Sequence, residues 1–144
     1  MMSSPNESID SLIEDFNAIS IQDRLMLLLE FSDNLAPLPA RYADHPDLLE
    51  RVEECQSPVY LFVEVNDEKR VGLFFSAPAE APTTRGFAGV LQEALDGHSV
   101  DEVLAVDEDF PNRLGLAEAV SPLRLNGMRA ILRRIKRQIK EKSA

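Results

Sequence analysis

The chain has little of what metal and redox sites need: one cysteine, Cys55, and two histidines, His45 and His98, in 144 residues. A single cysteine cannot form an internal disulfide, and two histidines that stand alone in the sequence cannot complete a zinc-ligand set with it. Walker A and GxGxxG sequences, which bind phosphates, are also absent. If Cys55 has a function, its sulfur must therefore act on something outside the chain.

Long apolar runs are missing as well. No stretch approaches the roughly 20 apolar residues that a membrane span needs, and residues 1–6 lack the positive and apolar regions of a secretory signal. One cysteine in a chain of this length is ordinary for a reducing compartment. We therefore expect a cytoplasmic protein with no membrane partner, folded as one domain over residues 1–144.

The net charge of −10 argues against nucleic acid as a partner. Charge is uneven, because residues 121–144 contain eight basic residues and one acidic residue, whereas the first 120 residues contain seven basic and 24 acidic ones. The basic stretch fits two interpretations, a solvated face of an amphipathic helix or an electrostatic docking face. The first is the commoner origin of such charge runs, and we favour it.

Hydrophobic spacing predicts helices towards both ends of the chain, because apolar residues there recur at intervals of three and four. The predicted helices span about residues 5–19, 21–35, 83–97, 99–106 and 122–140. Ser20 and Ser99 resemble N-caps of capping boxes, and Thr83 or Thr84 can cap the third helix. Ser121 precedes a proline that suits the first turn of the last helix.

Two runs of alternating apolar residues, 59–65 and 71–75, predict an antiparallel hairpin around the polar turn 66–69. A lone hairpin is marginal, so we expect a third strand near residues 50–54. Residues 86–89 (GFAG) are too short and too apolar for a phosphate loop, and we expect them to let a helix approach the sheet. The element order predicts an α+β fold, a small antiparallel sheet of about three strands covered by helices.

Cys55 fits two interpretations on its own residues. Free cysteine is commonly a small buried residue without chemistry. A reactive thiol at a loop-to-strand junction would have the same surroundings, with Glu54 before it and Pro58 after it. A Cys–His dyad is conceivable, but His45 and His98 stand in places typical of surface residues, and nothing brings either close to Cys55.

Three segments carry a resemblance to a known family. Residues 54–59 (ECQSPV) precede a strand, residues 84–91 (TRGFAGVL) follow the hairpin, and residues 121–128 (SPLRLNGM) open the last helix. In this order and spacing they resemble the sulfur-acceptor loop and two helices of the SufE family, the cysteine desulfuration proteins of iron–sulfur assembly. The resemblance covers residues 8–140 and implies a SufE/IscU-like fold.

The resemblance implies that Cys55 is the catalytic residue. It would accept the terminal sulfur of a persulfide from a SufS-type cysteine desulfurase, stimulate that enzyme and pass the sulfur to an iron–sulfur scaffold protein. Pyridoxal phosphate would belong to the desulfurase, so we expect no cofactor and no metal here, and a transfer partner rather than a stand-alone enzyme. The alternative on the same fold is a non-catalytic binding or regulatory domain with an inert Cys55.

The resemblance also implies a supporting or partner-binding role for Glu54, Gln56, Ser57, Arg85 and Arg124. Gln56 and Ser57 can brace the loop through backbone hydrogen bonds. Arg124 would stabilise the thiolate or orient the loop, or else pair with an acid at the start of its helix. Many family members have glycine before the cysteine, so Glu54 is expected to make the loop less permissive and to raise the thiol pKa.

Overall fold

The computed structural model describes residues 5–55 and 57–143, and these residues fold into helices around a small sheet. In chain order the elements are α1 (Pro5–Asn17), α2 (Ile21–Asp33), α3 (Ala40–Ala43), a 3₁₀ turn (Pro46–Leu48), β1 (Glu50–Arg51), β2 (Tyr60–Val65), β3 (Val71–Ser76), α4 (Pro82–Leu95), α5 (Val100–Leu104), α6 (Phe110–Arg113), α7 (Ala117–Val120) and α8 (Pro122–Ser143). The predicted α+β class is confirmed.

The sheet is an antiparallel meander in the order β1-β2-β3. The whole of β2 pairs with the whole of β3, as the two alternating runs predict. The third strand is confirmed but is shorter than the predicted 50–54. Only Glu50 and Arg51 pair with β2, because the chain turns immediately after them.

One face of the sheet forms part of the hydrophobic core. Leu61 and Val63 of β2 and Leu73 and Phe75 of β3 are buried in the same cluster as side chains of α4 and α8. Burying an apolar side chain of this size stabilises the fold by about 1.5–3 kcal/mol relative to its exposure. The alternation that predicted the strands therefore reflects this buried face.

The other face of the sheet is covered by an aromatic side chain from the proline-rich segment. The Tyr42 ring lies 4.5 Å from the Phe62 ring and 5.0 Å from the Phe74 ring, centroid to centroid. The Arg41 guanidinium lies 5.2 Å from the centre of the Phe74 ring. The segment 36–47, which contains Pro37, Pro39 and Pro46, thus includes the short helix α3, which the aromatic contacts hold on the sheet.

Helix α4 approaches α2 closely at two glycines. A Cβ atom at Gly86 would lie 2.6 Å from the carbonyl oxygen of Leu28, and one at Gly89 would lie 2.8 Å from the carbonyl carbon of Phe31. The predicted close approach to the sheet is therefore wrong in its partner. The two glycines let α4 lie against the backbone of α2.

The serine N-caps are confirmed. Ser20 Oγ accepts a hydrogen bond from the Asp23 N–H over 3.2 Å. Ser99 Oγ accepts from the Glu102 N–H over 3.2 Å, and the Glu102 carboxylate accepts from the Ser99 N–H over 3.1 Å, which completes a capping box.

Two local predictions around α4 are wrong. The N-cap is Ala81, not Thr83 or Thr84, because Pro82 occupies the first turn, where its missing N–H leaves no hydrogen bond unmade. His98, expected at the surface, is only 5% exposed. The segment after α4 lies along β3, and the His98 carbonyl accepts a hydrogen bond from the Val71 N–H over 2.8 Å.

Helix α8 places its apolar stripe in the core and its basic residues against acidic segments of the chain. Its ion pairs include Arg129–Asp109, Arg133–Glu108, Arg134–Glu50, Arg134–Glu54, Arg137–Glu50 and Arg137–Glu141. Much of the C-terminal basic charge is thus paired within the chain. In the described part of the chain, no helix has both the length and the apolar character needed to cross a membrane.

Candidate functional site

Cys55 ends a tight turn between β1 and β2. Its N–H donates a hydrogen bond to the Val52 carbonyl over 3.2 Å, so residues 52–55 form a four-residue turn, named here the cysteine turn. The Val52 N–H donates to the Val59 carbonyl over 2.8 Å. This bond continues the pairing of β1 with β2 and fixes the base of the turn.

The Cys55 side chain is buried against the first turns of α8. Only 8% of the residue is exposed, and its S–H donates a weak hydrogen bond to the Gly127 carbonyl, with 3.7 Å between sulfur and oxygen. A Cβ atom at Gly127 would lie 3.0 Å from Cys55 Sγ, which is closer than carbon and sulfur pack without strain. The absence of a side chain at Gly127 therefore makes room for the thiol.

A small cavity of about 90 Å³ borders the thiol. Its lining residues come from the cysteine turn, the segment that follows it, the start of α4 and the start of α8, and they are Glu54, Cys55, Ser57, Thr84, Phe87, Leu123, Arg124 and Gly127. The cavity has both polar and apolar walls. Its volume suits a few water molecules or one small group next to the sulfur.

Two exposed residues, Leu123 and Arg124, line this cavity. Leu123 is 66% exposed although it is a large apolar residue. The exposed Arg124 guanidinium has no ion-pair partner among residues 5–55 and 57–143, while its backbone N–H donates to Ser121 Oγ over 3.3 Å. An exposed cation and an exposed apolar side chain thus line the same cavity as the thiol.

A second arginine, Arg134, holds the cysteine turn to α8. Its Nε donates to Glu54 Oε2 over 3.3 Å, and its Nη2 contacts Glu54 Oε1. Its Nη1 donates to Glu50 Oε2 over 2.6 Å and to the Arg51 carbonyl over 3.2 Å. The hydrogen bond from Arg134 is the largest cause that lowers the pKa of Glu54, so this carboxylate is charged at neutral pH.

The Cys55 thiol is protonated in this arrangement. Burial raises its pKa to about 11, the Glu54 carboxylate acts in the same direction, and the Arg134 guanidinium opposes both. On the order of one thiol in ten thousand is then ionised at pH 7. In this buried position, the Cys55 sulfur is therefore in its protonated, unreactive form.

Comparison with known proteins gives the family. Residues 10–139 match the family model of SufE, the Fe-S metabolism associated domain. The chain belongs to the SufE family. Its role accordingly lies in iron–sulfur metabolism.

Individual relatives agree with this assignment. An uncharacterized SufE-like protein of Mycobacterium tuberculosis is 52% identical over 130 residues, which cover 90% of each chain. The cysteine desulfuration protein SufE of Plasmodium falciparum is 30% identical over 84 residues, 57% of this chain and 34% of that protein. The solution structure of a hypothetical protein from Thermus thermophilus has a TM-score of 0.82 at 36% identity, covering 99% of this chain and 98% of that chain.

In this member of the SufE family, Glu54 occupies the cysteine turn without a left-handed backbone. Among the described residues, the non-glycines with positive φ are Lys69 and Ser121. The turn as it stands does not need the conformational freedom of glycine before Cys55. The expected rise in the thiol pKa from Glu54 is confirmed in direction, although burial is the larger cause.

The other residues expected at the site are divided between two places. Ser57 and Arg124 line the cavity with Cys55, whereas Gln56 lies outside the described residues. The Arg85 side chain does not line the cavity. It donates to the carbonyls of Ser32 and Ala77, each over 2.9 Å, and so joins α4 to α2 and to the end of β3.

The site also contains residues that sequence reasoning missed: Gly127 as the contact of the thiol, and Arg134 with Glu50 as the support of Glu54. Gly127 and Arg134 are seven residues apart, two helical turns, so they share one face of α8. No local pattern identifies which of eight C-terminal basic residues meets Glu54.

The buried thiol makes stability depend on alkaline pH. The thiol of an unfolded chain ionises near pH 9, whereas the folded one stays protonated to about pH 11. The folded state therefore binds more protons in this window, and its stability falls as pH rises from about 9 to 11. We expect the wild type to lose about 1–3 kcal/mol more than Cys55→Ser across that window.

Urea unfolding at pH 8, 9, 10 and 11 measures this difference. The serine variant has no thiol, so subtracting its free energy of unfolding removes the contribution of lysine and tyrosine titration. Parallel losses in the two proteins would contradict the burial of the thiol.

Proposed function

We propose that the protein accepts sulfur from a cysteine desulfurase on Cys55, carries it as a persulfide and passes it to an iron–sulfur scaffold protein. The observation that carries this proposal is the position of the chain's only thiol on the wall of a cavity that exposed Leu123 and Arg124 also line. Membership of the SufE family gives the reaction its class. Pyridoxal phosphate belongs to the desulfurase in this scheme.

The transfer step exchanges one sulfur–sulfur bond for another. The Cys55 thiolate attacks the terminal sulfur of the persulfide on the desulfurase, and the Cys55–sulfur bond forms as the bond to the desulfurase cysteine breaks. The electron pair leaves with the desulfurase thiolate, so no external oxidant or reductant takes part. The thiol proton of Cys55 goes to solvent or to a base of the partner before the attack.

The closed site must open for this step. A protonated sulfur packed against Gly127 is a poor nucleophile, because the thiolate is the reactive form. Moving the Cys55 side chain into solvent removes its burial, which is the largest cause of its raised pKa. Arg124, exposed and without an ion-pair partner in the described part of the chain, can then favour the thiolate or contact the partner.

A second candidate function rests on the same burial. A binding or regulatory domain of this fold with an inert Cys55 would also keep its thiol protonated and shielded. The two proposals differ in whether a desulfurase can draw the sulfur out of the cavity.

Intact-mass spectrometry separates them. The protein is incubated with a SufS-type desulfurase, pyridoxal phosphate and free cysteine, and we expect a gain of about 32 Da that a thiol reductant reverses. The Cys55→Ser variant should show no gain and should not stimulate desulfurase turnover. A wild type that neither gains mass nor stimulates turnover would leave the binding domain as the better proposal.

A further inference from the structure

Arg134 is fixed to the body of the protein independently of the cysteine turn. Its Nη1 donates to Glu50 Oε2 over 2.6 Å and to the Arg51 carbonyl over 3.2 Å, both in β1. Glu50 is itself held by Arg137 and by Gln138 Nε2, the latter over 2.9 Å. Two groups of β1 thus hold the Arg134 guanidinium in one place, with its Nε and Nη2 directed at Glu54.

Glu54 has no comparable set of partners. Its side chain is 47% exposed, and both carboxylate oxygens contact the same guanidinium, whereas the Arg134 side chain is 22% exposed. If the cysteine turn moves away, Glu54 enters solvent and Arg134 keeps Glu50 as its partner. Separating Glu54 from Arg134 therefore leaves no buried charge without a counter-ion. The separation avoids the large free-energy cost of an unpaired buried charge.

Cys55 and Glu54 both contact helix α8. Its S–H contacts the Gly127 carbonyl, and Gly127 and Arg134 lie two turns apart on one face of α8. Of these two links, the thiol contact at 3.7 Å is the weaker. A bidentate arginine–carboxylate pair is the stronger kind of contact and fixes orientation as well as distance.

We propose that Arg134 is a positioning residue for the reactive cysteine: through its two-point contact with Glu54 it holds the cysteine turn on α8, and this pair sets how often the Cys55 thiol is exposed. The Glu54–Arg134 pair determines the fraction of molecules in which the cysteine turn is open, that is, separated from α8. A partner that uses Cys55 must separate Glu54 from Arg134 before it can reach the sulfur. The inference concerns exposure of the thiol, so it stands apart from the proposed sulfur transfer.

Electrostatics on the thiol alone would give a different pattern of mutant effects. Glu54 raises the pKa of Cys55 and Arg134 lowers it. If these charges acted only on the thiol, removing Glu54 would make the sulfur more reactive and removing Arg134 would make it less reactive. If the pair controls opening, removing either side chain makes the sulfur more reactive.

The test is the rate at which iodoacetamide alkylates Cys55 in the purified protein between pH 7 and pH 9, followed by intact mass. We expect Glu54→Gln and Arg134→Gln each to react about fivefold faster than the wild type, the factor that corresponds to about 1 kcal/mol for a half-exposed ion pair. The double variant should react no faster than the faster single variant, because the two residues act through one contact.

Two further variants keep the test sharp. Arg129→Gln is the matched control, because Arg129 lies on the same helix α8 but pairs with Asp109 over 3.0 Å and not with Glu50 or Glu54. It should react at the wild-type rate. Arg134→Lys keeps the positive charge but loses the planar fork, so it should react nearly as fast as Arg134→Gln.

Opposite effects of Glu54→Gln and Arg134→Gln would overturn the proposal, and so would wild-type rates in both. Circular dichroism of each variant confirms that it is folded. Arg134→Lys gives a decisive rate even if Arg134→Gln does not fold, because it keeps the positive charge and would react at the wild-type rate if charge on the thiol were the only effect. None of these measurements uses a desulfurase, so a failure here and a failure of the mass experiment are distinguishable.

Discussion

Gly89→Ala is expected to destabilise the fold by about 3 kcal/mol or more. The added Cβ would overlap the Phe31 carbonyl oxygen and lie 2.8 Å from the carbonyl carbon. Both are backbone atoms of α2, which cannot rotate away as the end of a side chain can. The two helices would have to separate, and their separation would open the core beneath them.

The opposing effect is smaller. Alanine in a helix interior is favoured over glycine by about 1 kcal/mol, so an isolated helix would gain from this substitution. The steric cost at Gly89 exceeds that gain, and the sign of the net effect is therefore unfavourable. Urea unfolding measures it as a lower midpoint at an unchanged slope.

Gly72→Ala is the matched control. Its Cβ would lie 3.3 Å from a ring atom at the far side of Phe74, a side chain that can shift by a few tenths of an ångström. We expect its free energy of unfolding to stay within about 1 kcal/mol of the wild type. Equal stabilities of the two glycine variants would mean that α2 and α4 do not lie as close as the distances indicate.

Sequence patterns predicted the helices and strands of the fold, but not which of these elements pack against each other. Helices and strands followed from spacing, because periodic burial leaves its pattern in neighbouring residues. The pair Gly86 and Gly89 indicated a close approach, but its partner is α2, more than fifty residues earlier in the chain. Local sequence carries no information about which of several elements a glycine face meets.

His98 was placed wrongly for a related reason. A histidine after a helix-ending glycine is usually exposed, and here Gly97 does have the positive φ of such a position. The Gly97 N–H donates to the Val71 carbonyl over 2.7 Å, so this segment lies along the edge of the sheet and covers the histidine. Long-range pairing of backbone decided its burial.

Cys55 could be predicted from the sequence as the central residue of the site, whereas the residues that hold it in place could not. A single cysteine beside a strand, with the family's flanking segments, was enough to select Cys55. The role of Arg134 was hidden, because the eight basic residues of 121–144 are alike in composition and differ only in what they face. The predicted solvated face and docking face both missed that Arg134 is paired with the residue next to the cysteine.

Gly127 gives the largest expected change in thiol reactivity. A Cβ at this position would lie 3.0 Å from Cys55 Sγ but 3.9 Å from its Cα, so the clash falls on the sulfur alone. Gly127→Ala and, more strongly, Gly127→Val should therefore expel the thiol from its place on α8. Overpacking costs of about 1–3 kcal/mol on the closed state correspond to an increase of about fivefold to 150-fold in the open population.

The measurement is again alkylation of Cys55 by iodoacetamide, paired with urea unfolding. Gly127→Ala should react faster while its overall stability stays within about 1 kcal/mol of the wild type, because the helix gains from alanine what the closed turn loses. Asn126→Ala is the control, since Asn126 is an exposed neighbour on the same helix that does not line the cavity. It should leave the alkylation rate unchanged.

The alkylation rate and the unfolding midpoint together show which part of the protein moves to relieve the clash at residue 127. A faster reaction without a loss of global stability means that the cysteine turn yields, so the thiol is held by a local equilibrium that a partner can shift. A wild-type reaction rate with a lower unfolding midpoint would mean that α8 yields instead. That result would contradict a separately opening turn, because the sulfur would then be fixed more firmly than the helix that covers it.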